Sequence, residues 1–486
     1  MTGMAETPAD VRIPHAGPPR RRNPPLWAVV VAACAGQFLV VLDVSVVNVA
    51  LPAMREDLGM SPSGLQWVVN AYTITFAGFM LLGGRAGDLL GRKRTFLTGL
   101  GLFTAASLAG GLAQESWQLL VARAAQGVGA AVLSPSTLTL LTVTVAEGPA
   151  RNRAIGTWMA VGAGGGAAGA LIGGVLTDLL SWRWVLLVNV PIGVLVLAAA
   201  SVWLVESRAE ERRRLDVPGA VLVTAGLASL AYGIVQTESA GWTSAAALVP
   251  LGAGLVLLAA FVAVEARTRA PLMPLRLLRL PSVWAANTAM FASGAAMFCS
   301  WYFLSLYMQN VLDFAPIEAG LGFIPLSLTI VLASKLAPRL MAWAGARNLA
   351  VAGALVSAGG YLWQSAMDAD GTYLGTVLGP GLTMMLGAGL AATPLAAIAT
   401  SGAPAADAGI VSGLVNTARV MGGSVGLAAL STLAAARTAG GESAEALASG
   451  YGFAFQAGAV VLAANALLIR LALPSARRPA PGSTTG

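Results

Sequence analysis

Apolar stretches of about 20 residues recur from Leu26 to Leu473, separated by short polar breaks. Each is long enough to cross a hydrocarbon layer about 30 Å thick. Backbone amides inside lipid must find partners within the spanning structure, so only helices and closed barrels qualify. The weak alternating pattern of a barrel is absent, and the stretches are read as helices. Only 10% of the residues are charged, against about a quarter in soluble domains, so no separate soluble domain is expected. The reading gives fourteen spans, approximately Leu26–Leu51, Gly64–Leu82, Thr95–Ala113, Trp117–Val145, Ala154–Leu180, Trp184–Val205, Val217–Gln236, Ala245–Val264, Val283–Val311, Ile317–Leu336, Leu349–Ala366, Tyr373–Thr400, Ala408–Ala436 and Phe453–Leu473. The expected fold class is an all-α polytopic membrane protein.

Positive charge then sets the orientation. With the N-terminus in the cytosol, Arg55, Arg183 and Arg437 fall outside and Arg123 and Arg419 lie within spans. The remaining 24 of the 29 Lys and Arg residues fall on the cytosolic side. Both termini are therefore expected in the cytosol. A net charge of +7 could signal nucleic-acid binding, but the bases sit in short loops between spans, where they act as a topology signal. Cys34 and Cys299 both lie inside apolar spans, which argues against a disulfide framework or a metal site. The single histidine, His15, is in the polar N-terminal tail, so proton chemistry within the membrane falls to carboxylates. That tail lacks the short apolar run and small-residue end of a cleavable signal peptide.

The two ends of the chain echo each other. Gly127–Pro135 reads GVGAAVLSP and Gly387–Pro394 reads GAGLAATP; Gly91–Arg94 reads GRKR and Gly345–Arg347 reads GAR. This spacing suits two six-helix bundles related by a pseudo-two-fold axis, with two helices inserted between them. The expected organisation is a cytosolic tail over residues 1–25, an N-terminal bundle over 26–205 and a linker with the inserted helices over 206–282. A C-terminal bundle over 283–473 and a cytosolic tail over 474–486 complete it.

Four local patterns carry chemistry. The run from Gly83 to Gly99 sets Asp88 among Arg85, Arg92, Lys93 and Arg94, with turn-forming glycines, between two apolar segments. An acid there can pair with bases or with a helix end and hold two helices together; a plain positive-inside anchor is the simpler reading. Asp43, in LDVSVVNVALP (Leu42–Pro52), is a carboxylate deep in an apolar run, where such a group is costly and usually functional. Arg123 is an intramembrane cation with Gln126 on the same helix face. Gly165, Gly169 and Gly173 form a bare helix face suited to close packing and sliding.

Together these runs resemble the fourteen-helix drug:proton antiporter group of the major facilitator superfamily, over nearly the whole chain. The loop matches the family pattern at Gly84, Gly87, Asp88, Gly91, Arg92, Lys93 and Arg94, with Leu89 where Arg is usual. The fifth span carries the family's antiporter spacing at Gly156, Gly165, Gly169, Gly173 and Gly174, with Ala170 in place of a kinking Pro; SWRWVLLVNVPIG, Ser181 to Gly193, follows as it does in the drug exporters. The resemblance implies proton coupling at Asp43, with Arg123 as its responding partner, and gating by Gly84, Asp88, Gly91, Arg92, Lys93 and Arg94. Asn48, Asn70, Tyr72, Gln126, Trp301, Tyr302, Tyr307, Asn416 and Arg419 are candidates to line a cavity for an amphipathic compound, although Trp and Tyr also serve as interfacial anchors.

The implied activity is proton-coupled efflux of a small hydrophobic or amphipathic compound, such as an antibiotic or drug, across a bacterial plasma membrane. The expected partners are that compound, protons and the bilayer, with a monomeric protein and no cofactor or metal. A facilitator, an importer or a lipid translocator of the same fold remains open, since Ala170 and Leu89 depart from the pattern. A receptor or scaffold would have no need of a buried Asp and Arg. An enzyme is not expected: the chain has no GxxxxGK[ST] phosphate loop and no nucleophile–base or metal constellation.

Overall fold

The computed structural model describes residues 26–145, 149–206, 216–268, 271, 274–401, 408–438, 441 and 443–473. The order of helices is α1 (Leu26–Leu58), α2 (Pro62–Leu90), α3 (Arg92–Gly111), α4 (Ser116–Thr144), α5 (Pro149–Leu179), α6 (Trp184–Leu187), α7 (Asn189–Trp203), α8 (Val217–Ala240), α9 (Ala245–Arg267), α10 (Pro281–Asn310), α11 (Pro316–Ala344), α12 (Ala346–Gln364), α13 (Gly379–Ser401), α14 (Ala408–Thr438) and α15 (Ala444–Ala472). A π-helical stretch, Tyr373–Leu378, leads into α13. No strand occurs among the described residues. The sixth expected span is broken at Val188 into α6 and α7.

Ten of the described helical segments are both long and apolar enough to cross a membrane. The other expected spans correspond to α2, α3, α5 and α12. The fold is thus an all-helical, polytopic membrane fold.

Helix ends follow local chemistry. Ser61, Ser244 and Ser443 accept a hydrogen bond from the backbone N–H three residues on, which satisfies an otherwise orphaned donor. Proline occupies the first turn of α2, α8, α10 and α11, where its missing N–H costs nothing. Gly91 joins α2 to α3 with φ 104° and ψ 138°, and Gly345 joins α11 to α12 with φ 81° and ψ 149°. A side chain would strain both positions. The two glycine–arginine loops that echo in sequence therefore share one backbone conformation.

Close packing depends on bare backbone. A methyl group at Gly169 would lie 2.6 Å from Ser45 Cβ, and one at Gly173 would lie 2.8 Å from the Cα and carbonyl oxygen of Val46. One residue further along α5, Gly174 abuts Pro316 and Ile317 of α11, and Gly320 of α11 abuts the Ala170 carbonyl. Prolines inside helices release carbonyls that other helices then use. Pro135 cannot donate to the Ala131 carbonyl four residues back, and Gly83 of α2 rests against that oxygen. Pro52 likewise frees the Asn48 carbonyl. Ser305 Oγ of α10 donates to it at 2.8 Å, and Gln309 Nε2 donates to the Val49 carbonyl at 3.0 Å. These joints from α1 and α5 to α10 and α11 lie toward the end of the protein at which α1 finishes, here called the Leu58 face.

Helices α8 and α9 pair with each other through Gly226 and Gly254. The pair leans on the rest through α8, whose Thr224 fills the space over Gly78 of α2 and whose Ile234 carbonyl accepts from Thr432 Oγ1 of α14 at 3.4 Å.

These contacts separate two glycines of α5. Gly173→Ala, which must displace backbone of α1, is expected to destabilise by about 1–3 kcal/mol. Gly164→Ala meets nothing within 4 Å and is expected to be neutral or stabilising by up to about 1 kcal/mol. Thermal unfolding of the purified protein in detergent checks the pair: Gly173→Ala should melt several degrees lower, Gly164→Ala no lower than the parent.

Candidate functional site

Five helices place polar groups around one buried charge pair. Asp43 of α1 is 0% exposed and Arg123 of α4 is 2% exposed. Arg123 Nη1 donates to Asp43 Oδ2 at 2.7 Å and to Gln126 Oε1 at 2.6 Å, while its Nε donates to the Val68 carbonyl of α2 at 3.0 Å. Gln126 Nε2 donates to Asp43 Oδ1 at 2.6 Å and to Ser107 Oγ of α3 at 2.8 Å. Asn189 Nδ2, from the start of α7, donates to Asp43 Oδ1 at 3.1 Å. The Tyr72 ring of α2 covers the guanidinium, with Arg123 Cζ 4.4 Å from the ring centroid.

The i, i+3 spacing of Arg123 and Gln126 brings both to Asp43 from one helix face, as their sequence positions imply. Stripping water from two such charges costs several kcal/mol per ion, and attraction offsets that only when the remaining lone pairs are satisfied. Here both carboxylate oxygens accept hydrogen bonds: Oδ2 from the guanidinium, Oδ1 from two amides. The Asn189 Oδ1 atom and the Tyr72 hydroxyl are buried beside the pair without a partner. Asp43, Arg123, Gln126 and Tyr72 are thus brought together as one cluster. Ser107 and Asn189 belong to it but carry no charge, so an apolar span containing them gives little warning.

The basic loop is organised around an acid that the sequence did not single out. Glu206, just beyond α7, accepts from the backbone N–H groups of Lys93 and Arg94, each at 3.2 Å. Its carboxylate therefore sits at the N-terminus of α3, where free N–H groups and the helix dipole favour negative charge. Arg94 Nε lies 3.7 Å from Glu206 Oε2, and Lys93 Nζ donates to the Ser201 carbonyl at 2.6 Å. Gly84 packs near Pro135 of α4 and Gly87 near the Arg92 side chain. Arg92 is partly buried at the first position of α3. The Asp88 side chain and the surroundings of Gly156 lie outside the described residues.

The glycine row of α5 divides by partner: Gly165, Gly169 and Gly173 face Phe38, Ser45 and Val46 of α1, and Gly174 faces α11. Ser45 Oγ donates to the Gly166 carbonyl at 2.6 Å, which reinforces this contact. With Ala170 in place of Pro, α5 runs as one helix from Pro149 to Leu179.

The candidate cavity residues separate into two groups. Asn48 Nδ2 bonds back to its own helix at Val44, Tyr302 is buried against Phe303, and the buried Tyr307 donates its hydroxyl to the Asp368 carbonyl at 2.7 Å. These side chains serve packing and a loop tie. Trp301 stacks on Phe323 with centroids 4.8 Å apart and is partly buried. Along the seam between α2 and α14, Asn70 Oδ1 accepts from Ser424 Oγ at 3.2 Å. Further along, Asn416 Nδ2 meets Met80 Sδ at 3.2 Å, and Arg419 Nη2 donates to Asn416 Oδ1 at 2.9 Å.

Comparison with known proteins places this geometry among transporters. Residues 33–427 match the sequence pattern of the Major Facilitator Superfamily. The chain is 50% identical over 456 residues to the Cephamycin export protein CmcT of Amycolatopsis lactamdurans, covering 93% of each. It is 38% identical to the Puromycin resistance protein pur8 of Streptomyces alboniger, covering 87% of this chain and 84% of the relative. Among solved structures, a bacterial homologue of the human lysosomal transporter Spinster, in an inward-facing and unoccupied conformation, superposes with a TM-score of 0.65 at 16% identity, over 92% of this chain and 96% of that one. The POT family transporter PepTSo does so at 0.67 and 16% identity, over 93% and 99%. At that identity the likeness is one of fold.

The charge pair makes a stability prediction. Arg123→Leu leaves a buried carboxylate without its counter-charge and is expected to cost about 3–5 kcal/mol. Removing both charges, with Asp43→Leu added, is expected to cost clearly less than the two single changes summed. A double-mutant cycle on unfolding in detergent measures the difference; strict additivity would show that the pair carries no coupling.

Proposed function

The chain belongs to the major facilitator superfamily and is a multi-pass membrane transport protein rather than an enzyme; from that premise we propose that it exports a small hydrophobic or amphipathic compound, in the manner of an antibiotic exporter, in exchange for protons. The observation that carries the reading is the Asp43–Arg123 pair, buried at 0% and 2% exposure among helices α1 to α4 and α7. Relatives named as antibiotic export and resistance proteins support the direction of transport.

The mechanism follows from the pair. A proton on Asp43 cancels its charge, weakens the 2.7 Å bond and frees the Arg123 guanidinium. The newly formed O–H can be accepted by the unpartnered Asn189 Oδ1, and Gln126 can turn toward either group. Since Arg123 also holds the Val68 carbonyl and Tyr72, its release alters how α4 grips α2, and α2 in turn meets α14. Proton binding is thereby linked to the seam along which one half of the protein would rock against the other.

The proposed architecture is two six-helix halves, residues 26–205 and 283–473, with α8 and α9 inserted. Fourteen passes result when α2, α3, α5 and α12 also cross. The excess of Lys and Arg puts the Leu58 face outside and both termini in the cytosol. The joints of Pro52 with Ser305 and of Gly174 with Pro316 then close the external side. Asp88, three residues before Gly91, is proposed as the latch on the cytosolic side, with Glu206 steadying the loop through α3.

Everted membrane vesicles with an imposed pH gradient test the coupling. Wild-type protein is expected to accumulate at least one of puromycin and benzylpenicillin in step with the gradient, and Asp43→Asn to lose at least nine-tenths of that gradient-driven transport. Transport in Asp43→Asn that still follows the gradient would reject Asp43 as the coupling group. For the latch, Asp88→Asn is expected to raise thiol labelling of a cysteine placed at Ala344 at least twofold; unchanged labelling would remove Asp88 from gating.

A further inference from the structure

Two arginines lie inside the apolar bodies of helices, and they are treated very differently. Arg123 is matched by a carboxylate, an amide oxygen, a carbonyl and an aromatic face. Among the described residues, Arg419, the twelfth residue of α14, has only the Asn416 side-chain oxygen of its own helix. No carboxylate among the described residues forms an ion pair with it. Asn416 adds nothing to neutralise the charge, because its own amide meets the thioether of Met80, a weak acceptor.

The surroundings repeat the imbalance. Asn70 of α2 is 0% exposed, and its Nδ2 is buried without an acceptor, although its Oδ1 takes the Ser424 hydroxyl. Ser424 is five residues beyond Arg419, about 7.5 Å along the helix axis. Arg419 is partly buried, and its own backbone is pressed against Gly294 of α10. The α2–α14 seam beside α10 therefore offers N–H donors and a full positive charge, with no paired carboxylate among the described residues. An uncompensated cation inside a membrane protein is expensive and marks a pathway for charge. A planar guanidinium with free N–H groups is the natural partner of a carboxylate, which it grips with two parallel bonds.

We infer that Arg419, positioned by Asn416 and assisted by Asn70, binds the anionic group of the exported compound, so that the protein selects amphipathic carboxylates. The inference rests on the exporter reading above and specifies its substrate class. The cargo itself completes the seam: its carboxylate supplies the counter-charge that Arg419 lacks among the described residues, and its apolar remainder stays among the Met and aromatic side chains of α2 and α10. Arg123 takes no part in this contact, since Asp43 already occupies it. The protein thus keeps one arginine for the proton and one for the cargo.

The test uses benzylpenicillin, fusidate and naproxen, each as free acid and as methyl ester, with puromycin as a compound that lacks a carboxylate, in everted vesicles under a pH gradient. Wild-type protein is expected to accumulate at least one acid fivefold or more over its ester. In Arg419→Gln that acid-to-ester ratio is expected to fall to about one, and in Arg419→Lys to recover partly. Met80→Glu, which leaves Arg419 in place but supplies an internal carboxylate beside Asn416, is expected to lower the ratio as well. An acid preference that survives Arg419→Gln, or a wild-type protein that exports esters or puromycin but prefers no acid, overturns the carboxylate assignment and leaves the exporter reading standing. A wild-type protein that moves none of these compounds under the gradient overturns both.

Discussion

An aspartate and an arginine buried together set the terms for the N-terminal half of this protein. Either charge alone would be costly in the membrane interior, and the 2.7 Å contact between them holds α1 and α4 in register. Gln126, Ser107 and Asn189 then tie α3 and α7 to the same point, and the Val68 carbonyl ties α2. One electrostatic requirement thereby organises five helices. In the proposed mechanism the same requirement makes the cluster responsive, because a proton on Asp43 would remove the reason for the register.

Around that polar point the helices meet through absence of side chain. Gly169 and Gly173 let α5 lie against α1, and Gly174 lets it lie against α11. In lipid, apolar side chains gain little by leaving their surroundings, so close backbone approach and dispersion contacts do the work that a hydrophobic core does in water. Contacts of this kind interlock less than large side chains would. A helix such as α5, which touches α1 through one set of glycines and α11 through the next, can slide without unthreading bulky groups. The unbroken course of α5 past Ala170 makes it a rigid strut in this role.

Much of this was written in the chain in a form that can be read directly. Asp43, Arg123 and Arg419 stand out because ionised groups in apolar runs have few innocent explanations, and the loop from Gly83 to Gly99 stands out because its charges are so concentrated. Asn189 and Ser107 did not, since a neutral polar residue in a membrane helix is common and its partners lie 146 and 19 residues away in sequence from Asp43 and Gln126 respectively. Glu206 was hidden for the same reason, being 113 residues from the helix end it caps. Tyr302 and Tyr307 drew attention as cavity aromatics, yet an aromatic ring reads alike whether it meets a ligand or packs inside. Span counting succeeded where helices are uniformly apolar. It was least decisive for α3 and α12, whose apolar bodies begin directly at charged residues.

Pro52 ends the Leu42–Pro52 stretch that first pointed to α1, and it leaves one carbonyl, at Asn48, outside the helix ladder. Ser305 of α10 fills that vacancy across the joint. Parting the two helices does not tear any intrahelical bond, because the acceptor was never part of one. It only trades a serine hydroxyl for a water molecule that enters as the gap widens. In the proposed transport cycle, a closure built on such an oxygen would be made and undone with both helices whole.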